Sequence, residues 1–111
     1  MTTPRRLTEG AQLTAGAVAY YTCPINTRCI IKKLTFANPT VNARLVTVYL
    51  VPSGGTATAT STLRPPRAVG PNDTWECFEA ENHILEQGDS IQALADAITA
   101  ITIMASGIEI V

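Results

Sequence analysis

The sequence predicts an all-β protein, an antiparallel β-sandwich of jelly-roll-like type built from seven to nine short strands. Three observations carry this expectation. The run Leu45-Val46-Thr47-Val48-Tyr49-Leu50-Val51 is seven β-formers in a row, stopped by Pro52-Ser53-Gly54-Gly55, where proline removes a ladder donor and glycine accepts positive φ. Similar apolar segments recur along the chain between clusters of turn residues. No segment gives a convincing amphipathic helix, because Gly88 and the Asp89-Ser90 turn chemistry interrupt the one candidate, Leu85 to Ala97.

At 111 residues, 46% of them hydrophobic and 15% charged, the chain has the size and apolar content of one domain with its own core. We expect a flexible N-terminal arm over residues 1–7, since Pro4 and the pair Arg5-Arg6 give it little reason to fold alone, and a single sandwich over residues 8–111. Val18 to Cys23 is the first clear strand. Pro24 to Thr27 turns the chain into Cys29 to Ala37, where Ile30, Leu34 and Phe36 alternate with Lys33 and Thr35. After the loop Asn38 to Asn42, the opening strand places Val46, Val48 and Leu50 on one face and Leu45, Thr47, Tyr49 and Val51 on the other. A strand apolar on both faces is central to a sandwich or half of an interface.

Leu63 to Val69 can only be an edge strand, because Pro65-Pro66 would leave gaps in an interior ladder. Thr74 to Ala80, Ile84-Leu85 and Ser90 to Ala95 follow, separated by Gly70 to Asp73 and by Glu86 to Asp89. Asp96 to Thr99 leads to the last strand, in which Ile101 and Ile103 have one parity and Ile108 and Ile110 the other. A β-bulge at Ser106-Gly107 would return all four to one face.

The net charge is −1, yet residues 1–44 carry about +5 and the remainder about −6, an asymmetry that offers complementary surfaces for subunit contacts. No apolar run of membrane-spanning length occurs, and the N-terminus has no signal-peptide pattern, so no membrane partner is expected and synthesis in the cytoplasm is. Cys23, Cys29 and Cys77 are an odd number, which favours free buried thiols, although Cys23 and Cys29 flank a turn and are near enough in sequence to bridge.

Catalytic and metal chemistry is not foreseen. His83 is the only histidine and has no ligand spacing around it, Ser53 lacks an activating base, and Glu76, Glu79 and Glu81 are spaced along one strand and its exit. No enzyme activity, metal or cofactor is expected. Nucleic-acid binding is not expected either, because Lys32 and Lys33 are adjacent on a strand and so face opposite sides. Trp75, Tyr49 and Tyr20 are of the type that stacks on sugar rings, which makes a tail or fibre carbohydrate-binding, receptor-recognition domain the alternative function.

The run Leu45 to Gly55, with Val48-Tyr49-Leu50-Val51-Pro52-Ser53-Gly54-Gly55-Thr56-Ala57 as its most telling part, together with Ile84-Leu85-Glu86-Gln87-Gly88-Asp89-Ser90-Ile91-Gln92-Ala93 and Ser106-Gly107-Ile108-Glu109-Ile110, resembles the small β-sandwich virion proteins of tailed bacteriophages. The resemblance covers roughly residues 18–111. In length and arm the chain is most similar to the capsid decoration, or staple, proteins of short-tailed double-stranded-DNA phages. That resemblance implies a homodimer on the outer surface of the head, clamping neighbouring copies of the major capsid protein without covalent chemistry. Arg5, Arg6, Leu45, Tyr49, Val51 and Trp75 are the expected contact residues with the capsid or with a further copy of the chain.

Overall fold

A computed structural model describes residues 2–97 and 100–111. Its strands are β1 (Thr2–Gln12), β2 (Val18–Thr22), β3 (Arg28–Asn38), β4 (Arg44–Val51), β5 (Thr62–Val69), β6 (Asp73–Glu76), β7 (Ile84–Leu85), β8 (Ser90–Ala95) and β9 (Thr102–Ile110). They form two antiparallel sheets. One runs β1-β9-β3-β6 with β7 beside β6 on β3, and the other runs β2-β8-β4-β5. The pairs are nested: β4 with β5, β3 with β6, β2 with β8 and β1 with β9, so the chain is one long hairpin rolled into two layers. The long strands β1 and β3 set the long dimension of 43 Å.

The core lies between the layers. Ile31, Leu34, Phe36, Ile103 and Ala105 from the five-stranded sheet meet Val46, Val48, Ile91, Ala93 and Ala95 from the other, all buried. Trp75 of β6 stacks on Phe36 with ring centroids 5.3 Å apart, and the Arg67 guanidinium lies 5.0 Å from the Trp75 ring. Beside them, the buried Asn38 amide donates to the carbonyls of Asn42, Val69 and Gly70, closing the β5 side of the sandwich. The opposite side is closed by hydroxyls, with Thr8 donating to the Tyr20 carbonyl and the Tyr20 phenol to that of Gln12.

Six sequence expectations are corrected. Thr2 to Leu7, expected as an arm, is the first half of β1 and pairs with β9 from Thr2↔Ile110 onward, because the last strand supplies a complete backbone ladder; Met1 lies outside the described residues. The strand beginning near Thr74 ends at Glu76, and Phe78–Ala80 is a 3-10 turn that leaves Phe78 exposed. The bulge expected within β9 is instead in both of its neighbours. Between Arg6 and Thr8 of β1, and between Ile31 and Lys33 of β3, one extra residue is accommodated opposite Ser106 and its neighbours. The expected grouping of the four isoleucines therefore fails, because β9 alternates without interruption: Ile103, Ala105, Gly107 and Glu109 point inward, like the buried Ile101 just before the strand, and Met104, Ile108 and Ile110 outward.

The bulge in β3 produces the last two corrections. Ile30, expected on the same face as Leu34 and Phe36, points outward, while Cys29 and Ile31 point inward. The same extra residue puts Lys32 and Lys33 both in solvent. Edge placement of the proline-containing strand holds: β5 borders only β4, with register shifts around Pro65-Pro66 and Leu63. The separator Asp96 to Thr99 is described only as far as Ala97, and Ile98 and Thr99 lie outside the described residues.

Gly107 has no room for a side chain. A Cβ there would lie 2.3 Å from the Ile30 carbonyl oxygen and 2.9 Å from Leu7 Cδ1. Gly107→Ala is expected to destabilise by about 2–3 kcal/mol through this backbone clash. Gly16→Ala, whose Cβ meets nothing within 4 Å, should change stability by less than about 0.5 kcal/mol. Urea unfolding of the two variants measures the contrast.

Candidate functional site

Directly paired residues on antiparallel strands share a face, so register defines the surfaces. Ile84↔Ile30, Ile30↔Ile108 and Ile108↔Pro4 are successive partners across β7, β3, β9 and β1. They make one lateral apolar row on the outer face of the five-stranded sheet. Ile84 is 55% exposed, Ile30 and Ile108 are half-buried, and Pro4 is exposed. The row below it, Arg28↔Ile110↔Thr2, adds another isoleucine, and Met104 stands 43% exposed farther along β9.

Cations flank the row. Arg6↔Ser106↔Lys33 is the next line of partners. Pro4, Arg6, Lys32 and Ile108 line a shallow hollow of about 560 Å³. The Lys33 amine is 3.2 Å from Glu76, the Arg28 guanidinium 3.0 Å from Glu86, and the Lys32 amine donates to the Asn82 side chain. Arg6 makes no ion pair among the described residues. Tyr20 and Tyr21, the aromatics nearest these lysines in sequence, belong to β2 of the other sheet and so do not stand on this face.

The residues expected at an interface are not brought together. Leu45, 45% exposed, and the half-buried Tyr49 lie on the outer face of the four-stranded sheet, separated along β4 by the buried Thr47. Arg6 points out from the other sheet. Arg5 has the inward parity, and its guanidinium sits at the rim 3.3 Å from Glu109. Val51 is buried, and Trp75, only 7% exposed and stacked on Phe36, belongs to the core. A buried indole is no platform for a sugar ring, which removes the main residue behind the carbohydrate-binding alternative. The isoleucine row was missed because only the pairing of four strands assembles it. Its signal in the sequence is the parity change between Ile103 and Ile108.

Inside the sandwich, the end nearest β1 and β2 holds a polar cluster. Glu109, 8% exposed, accepts from Arg5 and, at 2.5 Å, from the Tyr21 phenol. The phenol oxygen is also 3.0 Å from Cys29 Sγ, which lies 2.8 Å from Cys23 Sγ. Burial, followed by these hydrogen bonds, pushes the Tyr21 phenol far above its ordinary range. Burial first, and then the Cys29 contact, pushes the Cys23 thiol up to about 12. Cys77, buried beside Glu79, is pushed up to about 11, again chiefly by burial. All three cysteines are free.

No protein-family model matches the chain, and no curated protein matches it. Among solved structures, its fold is similar to that of a protein of Bacillus endospore appendages, described as forming a novel family of disulfide-linked pili. The TM-score is 0.56 at 14% identity, covering 97% of this chain and 86% of that one. A more distant likeness is to VP2 of infectious bursal disease virus in its subviral particle, with TM-score 0.39 and 14% identity over 98% of this chain and 32% of that one.

Two measurements check the cluster. Tyr21→Phe leaves a buried carboxylate oxygen without its donor and should cost about 1–3 kcal/mol, whereas Arg5→Ala at the rim should cost under about 1 kcal/mol and lose its effect in high salt. Chemical denaturation at two ionic strengths reads both. The raised Cys23 and Cys77 thiols stay protonated in the folded state while their unfolded counterparts ionise. Their stabilisation is therefore complete below the ordinary thiol value of 9.0 and is lost as pH rises from there toward 11–12. A melting temperature that falls across this window, with a shallower fall in Cys23→Ser and Cys77→Ser, is the expected result.

Proposed function

We propose that the chain is a structural virion protein that decorates the outer surface of a phage head. It staples neighbouring major capsid proteins non-covalently, and it acts as a homodimer. The observation that carries this reading is the outward isoleucine row. An antiparallel sheet with one wet face ordinarily sends polar residues outward, and a continuous apolar row beside Arg6 and Lys33 has the composition of a contact surface. The sequence resemblance to phage decoration proteins supplies the identity of the partner, and the jelly-roll-like fold is compatible with it. The row faces the shell. Dimerisation gives each unit two such faces, so modest single contacts multiply through effective concentration.

The test uses heads that lack the protein. Added back, the wild-type chain should co-sediment with heads and appear on their outer surface by electron microscopy. Ile84→Asp, at an exposed site, should keep the β-type circular dichroism and lose at least about tenfold in retention, the effect of removing one anchor worth about 1.4 kcal/mol. Retention equal to wild type, or density confined to the tail, would refute this assignment.

A further inference from the structure

We propose that Cys23 and Cys29 form a cross-linking site, in which a small-molecule disulfide such as oxidised glutathione converts the two thiols into one intrachain disulfide joining the two sheets. The geometry is already assembled. Cys23 directly follows β2 of the four-stranded sheet, and Cys29 is the second residue of β3 in the five-stranded sheet. Their sulfurs are 2.8 Å apart, closer than non-bonded sulfurs normally approach and within about 1 Å of the bonded separation. The backbone around Cys23 is held on both sides, with its N–H donating to the Asp89 carbonyl and its carbonyl accepting from Gly88.

The two sulfurs differ in their surroundings. Cys23 lies at the floor of a hollow of about 250 Å³ lined by Ile25, Ser53, Gln87 and Gly88, whereas Cys29 sits behind it against Tyr21. Cys23 is therefore the attacking sulfur. Its thiolate, having released its proton to water, attacks one sulfur of the reagent; a mixed disulfide forms and one reagent thiolate leaves. Cys29, deprotonated in turn, attacks the Cys23 sulfur; the intrachain bond forms and the other reagent thiolate leaves. Two protein thiols are oxidised, one reagent disulfide is reduced to two thiols, and the two protons end on those thiols.

Burial makes the Cys23 thiolate scarce at neutral pH, so the reaction is slow there and accelerates about tenfold per pH unit up to its pKa. A reducing cytoplasm keeps the pair open. An oxidising medium closes it with little backbone movement. Cys77 has no thiol neighbour, its sulfur lying 3.6 Å from Glu79.

The reduced full chain, incubated with oxidised glutathione at pH 8 and then alkylated, tests the proposal by mass. One alkylated thiol, Cys77, and a tryptic pair joined through Cys23 and Cys29 are expected; Arg28 lies between them, so trypsin parts the two peptides unless the bond is present. The melting temperature should rise by roughly 5–10 °C and return on adding dithiothreitol, with Cys77→Ser behaving as wild type. Three alkylated thiols after prolonged oxidation, a glutathione adduct that persists on Cys23, or a disulfide involving only Cys77 would overturn the proposal.

Discussion

The close approach of Gly107 to the Ile30 carbonyl is the constraint on which the rest of the five-stranded sheet depends. β9 is paired along both edges, and at Gly107 it has no side chain to hold its neighbours away. β1 and β3 each absorb one extra residue beside it while β9 stays regular. Because the period of a strand is two, each bulge inverts which residues face the core beyond it. The inward set of Cys29 and Ile31, then Leu34 and Phe36, and the outward placement of Ile30, Lys32 and Lys33 all follow from that one accommodation.

Charge is distributed by the same nesting. An excess of cations over residues 1–44 and of acids thereafter suggests a surface for binding something else, but the topology lays early strands beside late ones. Arg5 with Glu109, Arg28 with Glu86 and Lys33 with Glu76 each join a cation of the early segment to an acid of the late one. Two of these pairs are well exposed and contribute little on their own. Glu109 differs, because it is buried and would be costly to leave without Tyr21 and Arg5. The asymmetry is thus offset in part within the molecule.

Most of the strand positions were legible in the sequence, because alternation and turn residues are local signals. The Val46 and Val48 face, the short β7, and the edge position imposed by Pro65-Pro66 needed no knowledge of neighbours. What was not legible depended on pairing. Thr2 to Leu7 has no strand pattern of its own and takes its form from β9. Trp75 could have faced either way until Phe36 was placed against it. The isoleucine row exists only across four strands. Glu109, an acid in the last strand, gave no hint of burial, since its partners are more than eighty residues away.

The nesting has a consequence for synthesis. Among the described residues β1 finds its sheet partner only in β9, and β9 is also the strand that joins β1 to β3. A ribosome that stops short of residue 102 leaves both of those strands with bare edges and no shared neighbour. Chains in which β9 is not yet made would therefore carry open strand edges of the kind that proteases and chaperones engage, and synthesis of β9 is itself the step that removes that mark.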